Sequence, residues 1–253
     1  MPEAYIDQTI WQYSQSSGSL NQLTKPLIRE HALTLVVNGE NWLTFICSPT
    51  DLPALALGFL WNENVVSDLA EVKTFAISTD SSEIRVELTH PVVKPAHFHR
   101  TSTGVSPQSL RQTQTIPSDF HIPAEQVTGL FREFMDLQTL HDQVGGFHSA
   151  GLSDGSKVRL VVEDLGRHNC ADKLDGLFLL QNKPFTPRAL LLSGRISSEM
   201  VFKTLPLGIP LIVSRTSPTS LAVQIADQAG ITVVGYLRSN QFEVYCHPER
   251  ILV

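Results

Sequence analysis

The sequence predicts an α/β protein, a layered sheet with crossover helices in the C-terminal half preceded by a smaller α+β unit. Three observations carry that expectation. From residue 158 onward, short apolar runs of strand length alternate with segments of helical period. Residues 29–90 instead show two β-rich runs joined by a turn, one helix, and two further strand-like runs. Between these regions lies a polar stretch broken by Pro91, Pro95, Pro107, Pro117 and Pro123.

Taken in order, residues 1–28 are polar and rich in Ser and Gln, with the run Ser14-Gln15-Ser16-Ser17-Gly18-Ser19, and read as a loosely held arm. Runs 31–37 and 41–47 flank Asn38-Gly39-Glu40, a β-hairpin signal. Ser48-Pro49-Thr50-Asp51 opens a helix with Leu52, Leu55, Ala56 and Phe59 on one face, its polar start offering acceptors for free N–H groups. Runs 71–78 and 83–88 read as strands. In 101–118, eleven of eighteen residues are Ser, Thr or Gln, so a long exposed loop is expected there. Pro123 suits the first turn of a helix carrying Val127, Leu130, Phe131, Phe134 and Leu137 on one face. Buried strands follow at 158–163, 189–193, 210–214 and 231–237, with helices near 171–180, 197–205 and 218–228, the last ended by Gly230. The expected organisation is an arm at 1–28, an α+β unit at 29–122 and an α/β domain at 123–253.

The chain has 253 residues, enough to bury roughly three quarters of its unfolded surface without a disulfide or metal staple. A net charge of −6 speaks against a general nucleic-acid coat but leaves room for a local basic pocket. Cys47, Cys170 and Cys246 form no paired-thiol or zinc-ligand spacing, and no metal bound directly by the protein is expected. His97-Phe98-His99 has the look of a metal pair but lacks a third ligand in sequence reach. The acidic N-terminus shows no secretory pattern, and the longest apolar run is half a membrane span. A cytoplasmic protein without membrane insertion is expected.

In an open α/β sheet the ligand crevice lies beyond the carboxyl ends of the strands. Three strands are followed by loops with one arginine each: Glu163-Asp164-Leu165-Gly166-Arg167-His168-Asn169, Ser193-Gly194-Arg195-Ile196-Ser197-Ser198-Glu199, and Ser214-Arg215-Thr216-Ser217-Pro218-Thr219-Ser220. Helix N-termini present free N–H groups, and arginine adds a planar fork for phosphate. Taken singly, each loop reads as an ordinary helix cap; three together point to an anion pocket and a phosphate-bearing ligand. His168 stands as a general acid or base, or as a structural partner of a carboxylate such as Asp164. Gly145-Gly146-Phe147-His148 marks a tight turn before a strand pair, with His148 either a site residue or a packed one.

The same segments resemble the formate dehydrogenase accessory sulfurtransferases, the FdhD family. The likeness runs from about Glu30 to the C-terminus. It is carried by Arg29-Glu30-His31-Ala32-Leu33, Ser48-Pro49-Thr50-Asp51-Leu52, Gly145-Gly146-Phe147-His148-Ser149-Ala150, the Gly166-Arg167-His168-Asn169 block with Asp172-Lys173, Ser193-Gly194-Arg195, Ser217-Pro218-Thr219-Ser220 and Val234-Gly235-Tyr236-Leu237-Arg238. The resemblance implies a homodimer with a cytidine-deaminase-like core. It further implies a protein that takes sulfur from a cysteine desulfurase and passes it to the molybdenum bis(molybdopterin guanine dinucleotide) cofactor before insertion into formate dehydrogenase. The cofactor-contacting stretch falls on Tyr236-Leu237-Arg238-Ser239-Asn240-Gln241. The expected binding set adds Arg167, His168, Asn169, Ser193, Gly194, Arg195, Arg215, Thr216 and Ser217.

One departure stands out. The family's sulfur-carrying Cys-x-x-Cys falls on Thr103 and Ser106 here, and a hydroxyl does not replace a thiolate as persulfide acceptor. Cys170, at an expected helix N-terminus, is the remaining candidate thiol. Two other functions therefore stand beside the sulfurtransferase: a cofactor-binding chaperone or docking protein without sulfur transfer, and a nucleotide-processing hydrolase using Glu163, Asp164 and His168.

Overall fold

The computed structural model describes residues 3–95, 100–101, 104–105, 115–117 and 119–253. Within the expected arm, β1 (Tyr5–Ser14) and β2 (Ser19–Ile28) pair with each other as an antiparallel hairpin of ten residue pairs closed at Gly18. Its side chains alternate no apolar face toward the protein, and Trp11, Tyr13 and Leu20 are exposed. That lack of patterning is why the strands escape a periodicity argument.

β3 (His31–Val37) and β4 (Glu40–Cys47) form the expected hairpin, with Asn38 and Gly39 at positive φ as the turn requires. α1 (Leu52–Asn62) follows, then β5 (Val72–Ile77) and β6 (Glu83–Leu88), completing a sheet of order β4-β3-β6-β5. β7 (Arg100–Thr101) and β8 (Gly104–Val105) are a short antiparallel pair inside the expected loop. Thr103, Ser106 and the His97-Phe98-His99 triplet lie outside the described residues. β9 (Ile122–Pro123) leads into α2 (Ala124–Asp136) and α3 (Thr139–Val144).

The second unit comprises β10 (His148–Ser153), β11 (Val158–Asp164), α4 (Arg167–Leu180), β12 (Ala189–Leu192), α5 (Ser198–Thr204), β13 (Leu211–Ser214), α6 (Ser220–Ala229), β14 (Thr232–Arg238) and β15 (Gln241–Cys246). A last short strand, β16 (Ile251–Leu252), pairs with β9. The main sheet runs β11-β10-β12-β13-β14-β15. β12, β13 and β14 are parallel, and β10 runs against both β11 and β12. The carboxyl ends of β11, β12, β13 and β14 therefore share one edge with the start of β10. The fold class is the layered α/β core with a smaller N-terminal α+β unit that the sequence predicts.

Two core clusters cover opposite faces of this sheet. Leu174, Met200, Ala226 and their neighbours from α4, α5 and α6 fill one, while Val127, Leu130, Phe131 and Phe134 of α2 fill the other. Leu137, expected on that apolar face, lies just past the helix and is exposed.

α1 departs from its expected one-sided amphipathicity: ten of its eleven residues are buried. It is packed between the N-terminal sheet and α4, with Gly58 and Gly176 letting the two helix backbones meet. A Cβ on Gly58 would fall on the carbonyl of Asp172, and one on Gly176 on the carbonyl of Ala54. The expected polar cap of α1 is also absent. Asp51 sits at φ 50 with no capping bond, because Ser48 and Thr50 are drawn to a buried charge network described next.

Candidate functional site

Many of the polar residues in the strand-end blocks turn inward. Asp164 is fully buried. One carboxylate oxygen accepts from the Ser48 backbone N–H at 2.9 Å, its hydroxyl at 2.9 Å and Lys173 Nζ at 2.7 Å; the other accepts from Gly166 N at 2.9 Å and Asn169 Nδ2 at 2.8 Å. Asn169 also donates to the carbonyl of Ile46. A second buried pair, Lys203–Asp172 at 2.5 Å, is joined through Asn62, which donates to Asp172 at 2.9 Å and to Asp175 at 2.7 Å. These bonds tie the two units together. A buried ion pair survives desolvation only when its remaining lone pairs are met, and here the donors are supplied from both units.

α4 begins four residues earlier than expected, placing Arg167, His168 and Asn169 in its first turn and Cys170 inside the helix. His168 Nε2 donates to Glu199 at 2.8 Å, and burial holds the imidazole below its usual range. Glu163 accepts the Leu140 and His141 backbone N–H groups at 2.8 and 2.7 Å, anchoring the start of α3. Glu163, Asp164 and His168, the hydrolase set, are thus all occupied in holding elements together.

The open space at the strand edge lies on the α2 side. One cavity, about 430 Å³, is lined by Thr128, Phe131, Arg132 and Met135 of α2, by Arg215, and by Leu237, Arg238, Ser239 and Asn240. A second, about 260 Å³, is lined by Met135, Gln138, His141, Gly146, Phe147, His148, Ser193 and Arg215. Met135 and Arg215 line both. No Asp or Glu is among these lining residues, and among the described residues no carboxylate forms a salt bridge with Arg132, Arg215 or Arg238. Arg132 Nη2 donates to Asn240 Oδ1 at 3.0 Å, and Arg238 lies 5.9 Å from the Tyr236 ring centroid. Burial first, and then the charges of Arg167 and Arg195, push His148 below its usual range; Asp164 opposes this and His141 adds to it. The result is a groove with positive walls and an apolar floor in an acidic protein.

Of the expected binding residues, Ser193, Arg215, Leu237, Arg238, Ser239 and Asn240 line this groove. Gly194 packs under the His148 ring, where a Cβ would lie 3.0 Å from Nδ1. His168 and Asn169 point into the network instead. Arg195, Tyr236 and Gln241 are exposed, and Thr216 donates its backbone N–H to Ser214 Oγ at 3.0 Å. The Ser217 carbonyl accepts from Ile196 N at 3.3 Å. Sequence reasoning missed Arg132, Gln138 and His141. The single arginine of amphipathic α2 was a readable signal, but only the sheet order reveals that α2 borders this edge.

All three cysteines are buried. Cys170 is fully buried, donates to the His148 carbonyl at 3.3 Å, and burial pushes its thiol well above the usual range. The helix start invoked to activate it lies a turn away, so desolvation dominates. Burial also raises Cys47 to about 12 and Cys246 to about 11. Among the described residues no group of three or more His, Cys, Asp or Glu side chains could hold a metal ion, and no helix is long and apolar enough to cross a membrane.

The chain is similar to known proteins along nearly its whole length. The FdhD/NarQ family model matches residues 28–252. A protein named sulfur carrier protein FdhD from Bacillus subtilis is 32% identical over 258 residues, spanning 96% of this chain and 95% of the relative. A protein of the same name from Staphylococcus haemolyticus is 34% identical over 254 residues, spanning 96% of each. The crystal structure of a candidate formate dehydrogenase accessory protein from Desulfotalea psychrophila superposes with a TM-score of 0.85 at 26% identity, covering 98% of this chain and 100% of that one. With the buried Asp164 and Lys173 drawn from the very blocks that carried the resemblance, the chain belongs to the FdhD/NarQ family.

Proposed function

We propose that this protein is a formate dehydrogenase accessory factor that binds the molybdenum guanine dinucleotide cofactor as its cargo without carrying sulfur on a thiol of its own. The observation that carries this reading is the groove: three arginines and no carboxylate line its larger cavity. Arg215, shared by both cavities, holds the phosphates by charge-assisted hydrogen bonds. Phe131, Leu237 and Met135 give a planar base an apolar floor, and Arg132, Ser239 and Asn240 offer donors and acceptors at its rim. The sulfur step is set aside because a persulfide forms on a thiolate, and all three cysteines are buried with raised pKa values. The dehydrogenase is the partner that this role implies.

Calorimetry with GDP tests the groove. Wild-type protein binds GDP, and Arg215→Ala loses at least about tenfold in affinity, since a hydrogen bond to a charged group contributes about 1.5–3 kcal/mol. Equal affinity in wild type and variant refutes the role of Arg215. Intact mass after incubation with a cysteine desulfurase and free cysteine tests the second half: a reducible gain of sulfur would overturn the thiol argument.

A further inference from the structure

Another cavity, about 310 Å³, opens at the opposite edge of the main sheet from the groove. Its walls come from the segments that enter β12 and β13, with Phe185 and Thr186 before one strand and Leu207 before the other. Trp61 near the end of α1 and Phe178 in the last turn of α4 complete them. The cavity therefore lies between the two units, at the amino ends of strands whose carboxyl ends face the groove. Clefts between units are common sites for small ligands, and this volume stands at the small end of their range.

Three aromatic rings shape the space. Phe178 and Phe185 meet edge to face with centroids 5.3 Å apart. Trp61 is nine-tenths buried, and its indole Nε1 donor has no acceptor among the described residues. Lys183 is the one ionisable residue of the lining, and its Nζ stands 4.7 Å from the Trp61 ring centroid. Among the described residues no carboxylate forms a salt bridge with it. The backbone fixes where this lysine starts: Asn182 and Lys183 both take positive φ, 58° and 51°, directly after α4. The Lys183 backbone N–H donates to the Phe178 carbonyl at 2.9 Å. Glycine is the residue that such backbone favours, so the lysine is held there at a conformational cost.

One ammonium among rings and an aliphatic side chain matches one negative charge on an apolar body. A phosphate monoester brings a second charge for which the cavity has no cation, and an uncompensated charge is costly to desolvate. A neutral hydrocarbon leaves the ammonium and the indole N–H without an acceptor. A carboxylate offers acceptor oxygens alone, and a phenyl-sized group packs edge to face on the neighbouring rings. We propose that this cavity binds a small aromatic monocarboxylate, with its carboxylate on Lys183 and its ring among Phe178, Phe185 and Leu207. The site is separate from the groove and does not rest on the cargo reading.

Calorimetry on the full chain with 3-phenylpropionate tests it, with 3-phenylpropionamide as the uncharged analogue. The acid is expected to bind, and the amide to bind at least about tenfold more weakly, as loss of a charge-assisted hydrogen bond requires. Lys183→Gln removes the cation and weakens the acid at least about tenfold. Thr186→Glu sets a competing carboxylate at an exposed rim position and weakens the acid by a similar factor. Neither residue lines the groove, so GDP affinity matches the wild type in both variants. No binding of the acid by the wild type, equal affinity for acid and amide, or wild-type affinity for the acid in either variant overturns the site. Binding of the acid by a wild-type protein that does not bind GDP supports this site and overturns the groove reading alone.

Discussion

Replacing Gly176 by alanine separates two effects that usually travel together. In an ordinary helix interior, glycine to alanine gains about 1 kcal/mol through backbone propensity. At Gly176 the added methyl would fall on the Ala54 carbonyl, with that carbonyl's carbon 2.6 Å and the Ala54 Cα 2.7 Å from the new Cβ. Real Cβ atoms essentially never come within 3.0 Å of such neighbours, and here they are backbone with no rotamer to change. α1 and α4 would have to part by about 1 Å along a seam of interior packing density. Overpacking of this kind costs about 1–3 kcal/mol, sometimes more. The bonds from Asn62 to Asp172 and Asp175, now 2.9 and 2.7 Å, span the same seam. Stretching them takes away charged hydrogen bonds that each contribute about 1.5–3 kcal/mol. The net expectation is a loss of at least about 3 kcal/mol, which for a chain of this length lowers the melting temperature by about 6–12 °C. Urea denaturation reads this out, with Gly129→Ala as control. Gly129 lies in α2 with nothing within 4 Å of its would-be Cβ, so that variant should gain up to about 1 kcal/mol. If Gly176→Ala matches or exceeds wild-type stability, the close helix contact is not as described and the argument fails.

The other expectations follow from buried charge and burial of thiols. Lys173→Ala leaves Asp164 buried without its cation and should destabilise by about 3–5 kcal/mol in the same denaturation assay; a change under 1 kcal/mol would show that the pair is solvated. Ellman's reagent should find no fast-reacting thiol among Cys47, Cys170 and Cys246 in the native protein and three after denaturation, and a rapid native reaction at Cys170 would contradict its burial. Burial lowers His168 below its unfolded value of 6.5, so its contribution is fully present above pH 6.5 and is lost as pH falls through the folded pKa. His247 is raised, first by its hydrogen bond to the Asp227 carbonyl, so its contribution is present below pH 6.5 and is lost as pH rises through the folded pKa. His168→Gln should therefore flatten the acid limb of a melting-temperature profile and His247→Gln the limb above pH 6.5; profiles superimposable on wild type would refute both assignments.

Much of the fold was legible because local chemistry and burial agree. Asn38-Gly39 marks a turn that its backbone angles require, and apolar runs such as Ala189–Leu192 are strands because both sheet faces are covered. The β1–β2 hairpin was not legible, since neither of its faces is buried and no alternation was imposed on it. The early start of α4 was hidden by Gly166-Arg167-His168-Asn169, whose polar character reads as loop. Part of that block has an interior role: Gly166 and Asn169 satisfy the Asp164 carboxylate, and His168 bonds Glu199.

The sequence by itself determined that three arginine-bearing loops follow strands of one α/β sheet. Only the tertiary structure decided which of those side chains face open space. β11, β12 and β13 run in one direction and bring the loops to one edge, but His168, Asn169 and Asp164 turn to Glu199, the Ile46 carbonyl and Ser48 instead of to open space. The groove opens on the α2 side, where α2 and α3 contribute Arg132, Gln138 and His141 from a segment distant in sequence. Secondary structure is set by local pattern. The choice between a polar residue that binds a ligand and one that pairs a buried charge depends on what packs against it, and that is fixed by contacts between residues a hundred positions apart, such as Ser48 and Asp164.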